Sequence, residues 1–231
     1  MIVPPAVGLA SGARADPLCG SNSVFCYPSP GTIVSSDSVA SCLDPSNSNA
    51  SYDLIHGIFA VGFSFPHDGS TNQGGAAVSA VDQYRVEGAS PGTPLVFSAE
   101  LDASLAAYGF GCMRPGEPVK ASSSARLTEG ASNQSSASIT TPVTCGTRYC
   151  CAQAVALHEI LRVTVTRSAG EPFTLHFDLA TNGHGSGQAS GQLRFSGLPS
   201  GAFVVSCQGY GQDRVTAAKG TSWGRLKLLY R

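Results

Sequence analysis

The pattern that most constrains this chain is alternation with a period of two. Leu95, Phe97, Ala99 and Leu101 alternate with Val96, Ser98, Glu100 and Asp102, and Phe173, Leu175, Phe177 and Leu179 alternate with Thr174, His176 and Asp178. A strand turns successive side chains to opposite faces, so each run predicts a strand with one buried and one wet face. Leu161, Val163 and Val165 repeat the pattern against Arg162, Thr164 and Thr166, and Leu193 with Phe195 flanks Arg194. Turn clusters bound the runs, among them Ala89-Ser90-Pro91-Gly92-Thr93-Pro94, Ser168-Ala169-Gly170-Glu171-Pro172 and Ser196-Gly197-Leu198-Pro199-Ser200-Gly201. Strands are expected over residues 54–65, 76–87, 94–103, 119–129, 134–141, 157–167, 172–180, 187–196 and 202–208. The fold class that follows is all-β, an antiparallel β-sandwich or jelly roll of about nine strands. Between Cys151 and Leu161 the good helix formers leave a short helix open beside continuous strand.

Charge is scarce: 14 Lys plus Arg stand against 15 Asp plus Glu, 13% of 231 residues. Ser, Thr, Asn and 27 Gly supply the polarity instead, which suits strands and turns better than helices. With a net charge of −1 and no Lys/Arg cluster, the electrostatic footprint of nucleic-acid binding is missing, so no nucleic acid is expected as a partner. No apolar run approaches the roughly 18 residues of a spanning helix, so no transmembrane segment is expected.

Cys19, Cys26, Cys42, Cys112, Cys145, Cys150, Cys151 and Cys207 make an even count with no paired Cys-x-x-Cys spacing of zinc-site type. Disulfides formed in an oxidising compartment are the favoured reading, beside buried free thiols. Cys26 with Cys42 and Cys112 with Cys145 are plausible clasps, while sequence leaves the connectivity open. Residues 1–15 read as a signal peptide, apolar from Ile2 to Ala10 and ending in Ala13-Arg14-Ala15, although a basic start is missing and the leader looks truncated. Residues 16–50, rich in Cys, Ser and Pro, read as a disulfide-tied N-terminal arm, 51–211 as the sandwich domain, and 212–231 as a linker with a basic amphipathic tail.

Asp82-Gln83-Tyr84-Arg85-Val86 followed by Gly92-Thr93-Pro94-Leu95-Val96-Phe97 resembles a stretch of an uncharacterised exported bacterial β-sandwich domain of the choice-of-anchor type. Ala169-Gly170-Glu171-Pro172-Phe173, Leu193 to Gly201 and Cys207-Gln208-Gly209-Tyr210-Gly211 continue the resemblance, which covers roughly residues 50 to 211. It implies a cell-surface or extracellular sandwich and carries no catalytic residues across. The chain departs from that family in having more cysteines and in ending without a spanning helix. Its close, Trp223-Gly224-Arg225-Leu226-Lys227-Leu228-Leu229-Tyr230-Arg231, is similar to short sorting-like tails of exported bacterial proteins, with docking of the tail on the domain as the alternative.

Several motifs match chemistry only in part. Gly220-Thr221-Ser222-Trp223-Gly224 has nucleophile-elbow spacing, but no Asp, Glu or His follows it to complete a triad. His176 and Asp178, two apart on one strand face, are weak metal candidates, because zinc wants three or four ligands and no third is legible. Thr181 to Gly187 is glycine-rich without a helix start to bind phosphate, and reads as a flexible hairpin. Cys150-Cys151 leaves a vicinal redox pair open beside pairing with separate partners. Asp82, Glu87, Glu100 and Asp102 are the carboxylates a glycosidase would have to draw on, yet a solvated strand face gives the same pattern. Asn49-Ala50-Ser51 and Asn133-Gln134-Ser135 match N-glycosylation sequons.

These readings converge on a non-enzymatic secreted or cell-surface interaction module, with no catalytic residues, no metal and no cofactor expected and an extracellular protein or glycan as partner. The alternative is a carbohydrate-binding module, calcium-assisted where Asp and Asn groups allow, with Tyr84, Tyr108 and Tyr149 as the weak candidates for stacking on sugar rings.

Overall fold

The computed structural model describes residues 22–27, 31–35, 39–44, 48–64, 74–109, 112–113, 120–148 and 150–212. The expected leader, Cys19, Tyr149 and the tail beyond residue 212 lie outside them. In chain order the strands are β1 (Asn22–Tyr27), β2 (Gly31–Ser35), β3 (Val39–Asp44), β4 (Ser48–Asp53), β5 (Ile58–Ser64), β6 (Gly74–Glu87), β7 (Pro94–Gly109) and β8 (Cys112–Met113). They continue as β9 (Ala121–Glu129), β10 (Asn133–Thr140), β11 (Val143–Cys145), β12 (Cys150–Ala152), β13 (Val155–Ser168), β14 (Phe173–Gly183), β15 (Gly185–Ser196) and β16 (Phe203–Ser206).

The molecule is all-β, and its sheets are antiparallel. A seven-stranded sheet runs β10-β9-β14-β6-β1-β2, with β16 also on β6; a six-stranded sheet runs β13-β7-β15-β5-β4-β3; a small sheet joins β11, β12 and β8. Alternation decides which side chains meet between the two large sheets. On β7 the residues Leu95, Phe97, Ala99, Leu101, Ala103, Leu105 and Ala107 are at most 4% exposed. All but Ala107, which packs with Phe63 and Ala121, share one core with Val78, Ala80, Tyr84 and Val86 of β6, Phe173, Leu175, Phe177 and Leu179 of β14 and Leu161, Val163 and Val165 of β13. Burial of each such Leu, Val or Phe contributes about 1.5–3 kcal/mol. Aromatic rings fill the centre, with Phe59 stacked on Phe177 at 4.6 Å and Phe97 edge-on to Phe173 at 5.4 Å.

Several expectations are sharpened or corrected. The stretch read as an arm is built into both large sheets, with β1 and β2 in one and β3 and the first half of β4 in the other, and Cys26–Cys42 joins β1 to β3. Cys145 pairs with Cys150, so the expected Cys112–Cys145 clasp is wrong and Cys150–Cys151 is not a vicinal pair. The cause is local: Cys145 and Cys150 face each other directly across the β11–β12 ladder. Cys151 and Cys207 are also disulfide-bonded.

No helix forms after Cys151, because residues 155–168 pair along their whole length with β7. Tertiary pairing there outweighs local propensity. Residues 54–57 are a turn where strand was expected, since Gly57 takes φ +65° and Asp53 Oδ1 accepts the His56 N–H at 3.1 Å. The glycine-rich stretch 181–187 is no hairpin but a crossing between sheets: β14 ends at Gly183, His184 is buried, and β15 starts at Gly185 in the opposite sheet. A Cβ at Gly183 or Gly185 would meet backbone at 2.3 or 2.1 Å, which makes both glycines a condition of the crossing.

Candidate functional site

The outward face of the six-stranded sheet is laid out by register. Across β13, β7, β15, β5 and β4 one row reads His158, Ser104, Ser190, Ala60 and Ser51, and the next reads Ala156, Ala106, Gln188, Gly62 and Asn49. Small side chains in two adjacent rows leave a trough of about 570 Å³ running across the strands. A taller row, Ile160, Asp102, Gln192, Ile58 and Asp53, forms one wall. Tyr108, the next outward residue along β7 beyond Ala106, is 46% exposed and lies one row outside the residues that line the trough.

The charges beside the trough are already matched. Glu100 takes Arg162 at 2.9 Å and the Ser196 hydroxyl at 2.6 Å, while Asp102 takes His158 at 2.6 Å and Arg194 at 3.6 Å. Arg194 also donates to Gln192 Oε1 at 3.1 Å. Among the described residues these bonds do not reach the side chains of Asn49, Ser104, Gln188 and Ser190. The Asn49 carbonyl oxygen lies over Gly62, where a Cβ would come within 2.9 Å of it.

A second polar cluster is sealed inside the fold. β1 and β16 share one edge of β6, and the break between them falls at Val81 to Gln83. Side chains complete the ladder there: Val81 N–H donates to Asn22 Oδ1 at 2.8 Å, Gln208 Nε2 donates to the Val81 carbonyl at 3.2 Å, and Asn22 Nδ2 donates to Gln208 Oε1 at 3.0 Å. Asp82 lies beside them at 0% exposure, with Oδ1 accepting the Gln83 N–H at 2.8 Å. Its Oδ2 and the Tyr84 hydroxyl are sealed without a hydrogen bond. Burial pushes the Asp82 carboxyl up to about 7, against hydrogen bonds from Ser206 and backbone that oppose the shift only in part. Burial first, and then the neighbouring Asp82 charge, also raises Tyr84.

The sequence candidates fall unevenly onto this map. Tyr84 is 1% exposed inside the aromatic core, so it cannot stack on a ligand: it shares the inward parity of Val78, Ala80 and Val86. Tyr108 is exposed one row beyond the residues that line the trough, and Tyr149 lies outside the described residues. His176 and Asp178 do share an outward face, but Asp178 is held by Arg126 at 2.7 Å and Ser79 at 2.8 Å. Among the described residues no group of three His, Cys, Asp or Glu could hold a metal ion.

Of the four carboxylates, Asp82 is buried, Glu87 pairs with Arg85 at 2.7 Å, and Glu100 and Asp102 carry the ion pairs of the trough wall. Sequence reading missed Asn49, Gln188 and Ser190, because nothing along the chain says which outward positions the register will align. Comparison with family models, with curated proteins and with solved structures finds no match to this chain.

Proposed function

We propose that this chain is an exported, non-enzymatic β-sandwich module of the choice-of-anchor type that holds an extracellular or cell-surface partner through the outward face of its six-stranded sheet. The observation that carries this reading is the trough, a concavity whose flanking charges are matched among themselves while its amides and hydroxyls face outward. The disulfides Cys26–Cys42 and Cys145–Cys150 support export, since such bonds persist in oxidising compartments. Among the described residues no helix is long and apolar enough to cross a membrane. Glu100 and Asp102 are engaged by Arg162, His158 and Arg194, which leaves contact with a partner to the amides and hydroxyls of the trough.

The test is retention of the purified, disulfide-intact chain on cells of the producing organism, compared with Ser190→Trp, which fills the trough. Retention of the native chain and its loss in the variant is the expected result; equal retention of both would overturn the assignment of the face. A second reading, a carbohydrate-binding module, is favoured by one observation, the exposed ring of Tyr108 one row beyond the trough's lining.

A further inference from the structure

The geometry points to an uncharged glycan chain as the occupant of the trough, laid across the strands rather than along them, with Asn49 and Gln188 reading its hydroxyls and Tyr108 packing on a sugar face. This inference rests on the reading of the outward face as the binding surface and adds the chemistry of the ligand.

Shape comes first. The two low rows cross five strands, so the trough is about 19 Å long at the usual spacing of about 4.8 Å between strands. Its volume of about 570 Å³ suits an elongated ligand a few rings long. Such a depression accepts a chain, not a compact ion.

Charge decides the class. A phosphate or uronate would need a cation without a partner, and the arginines beside the trough, Arg162 and Arg194, are bound to Glu100 and Asp102, while the His158 ring is hydrogen-bonded to Asp102. A cationic ligand would meet the same carboxylates already occupied. The groups that face the trough without these bonds are neutral: an amide carries both a donor and an acceptor, and a serine hydroxyl does likewise. A hydroxyl-rich chain needs that pairing on every ring. The floor of Ala60, Gly62 and Ala106 offers apolar contact for the C–H faces of the same rings, and the exposed Tyr108 ring, one row beyond Ala106, extends that surface for a chain that runs past the trough.

A peptide is the competing polymer, but peptides add to sheets at edges, where backbone N–H and C=O groups are unpaired. The trough crosses β13, β7, β15, β5 and β4, and of these only β13 is at the edge of the sheet, the other four being paired on both sides. Over most of its length its recognition groups are therefore side chains, as hydroxyl reading requires.

The experiment uses the full chain, disulfides intact, made in a host without N-glycosylation because Asn49 opens a sequon. Affinity electrophoresis is run in soluble neutral polysaccharides (β-glucan, mannan, galactan, starch) and in acidic ones (polygalacturonate, hyaluronate). Expected is retardation by at least one neutral polymer, insensitive to added salt, and weakened about tenfold in Gln188→Ala and in Tyr108→Ala, the scale of losing one or two good contacts. Unchanged melting of both variants shows that the fold is intact.

Retardation by no neutral polymer overturns the inference, as does binding confined to acidic polymers and abolished by salt, or binding that Ser190→Trp leaves unchanged. If native chain binds cells and Ser190→Trp does not while neutral polymers give nothing, the ligand class fails and the binding face stands. If Ser190→Trp binds cells as well as native chain does, the face itself fails.

Discussion

At the edge of β6 the amides of Asn22 and Gln208 are sealed against each other beside Asp82, whereas on the far sheet the amides of Asn49 and Gln188 line an open trough. The two regions use the same chemistry under opposite solvation. Inside, two of the amide contacts replace missing strand bonds at Val81 and the third ties the amides to each other, and any group left over is penalised because water cannot reach it. Outside, water satisfies the same groups at no cost to the fold, and a ligand can take its place. Stability should therefore answer to substitutions in the first region and binding to substitutions in the second.

The largest effect expected is the pH response of the sealed region. A carboxyl raised from 3.8 to about 7 by burial is protonated in the fold while the unfolded chain is already ionised. Its contribution is thus fully present below about pH 4 and is lost as pH rises to about 7, at about 1.4 kcal/mol per unit, an upper bound of about 4 kcal/mol. Urea unfolding at about pH 5 and about pH 8 should show the native chain losing stability upward, and Asp82→Asn should flatten that slope. A native chain whose stability matches Asp82→Asn at both pH values would show that Asp82 is not sealed, and the contrast would collapse.

Next in size is Asn22→Ala, which strands the Val81 N–H and one amide contact of Gln208 inside the fold. A buried donor without a partner costs about 1–3 kcal/mol. Chemical denaturation should report that loss without a change in its denaturant slope, and an effect below about 0.5 kcal/mol would mean that water enters the cluster.

Both regions were only half legible in the sequence. Period-two alternation places the strands of β7, β13 and β14, because burial of one face is written into every second residue. Asp82 has the inward parity of Ala80, Tyr84 and Val86, whereas the sequence reading offers it as a carboxylate on a solvated strand face and Tyr84 as a ring for stacking on sugars. The parity of its neighbours was the available signal. The trough had no such signal, since it exists only where the register sets Ser190 beside Ala60 and Gln188 beside Gly62. Strands β1 to β4 escaped notice because their buried positions include Asn22, Ser48, Cys26 and Cys42, which hydrophobic periodicity counts poorly. The choice of Cys145 for Cys150 likewise depended on a ladder that spacing does not reveal.

A smaller effect distinguishes the underside of the trough strands from their open face. Gly191 of β15 points inward, and a Cβ there would meet Leu101 Cδ1 at 2.7 Å and Cγ at 3.1 Å. The Leu101 side chain can turn away in part, so Gly191→Ala should cost about 1 kcal/mol, the low end of overpacking. Thermal melting tests this, and an unchanged midpoint would show that the core beneath β15 is looser than its contacts imply.

The smallest stability effect belongs to Gln188→Ala, and it is the one that separates the two regions most cleanly. Gln188 is outward on a central strand, beside Ala106 and Gly62, and the trough's ion pairs do not reach it. Truncation leaves no buried group unpaired and opens no cavity in the core, so the change in unfolding free energy should stay within about 0.5 kcal/mol. Asn22→Ala, which also removes one amide, should cost several times more because its partners are sealed from water. Measured side by side under one denaturant, the pair isolates solvation as the variable, since the deleted chemistry is nearly the same. A Gln188→Ala loss as large as that of Asn22→Ala would mean that the trough amide is structural, and the face would then have no reason to keep it for a ligand.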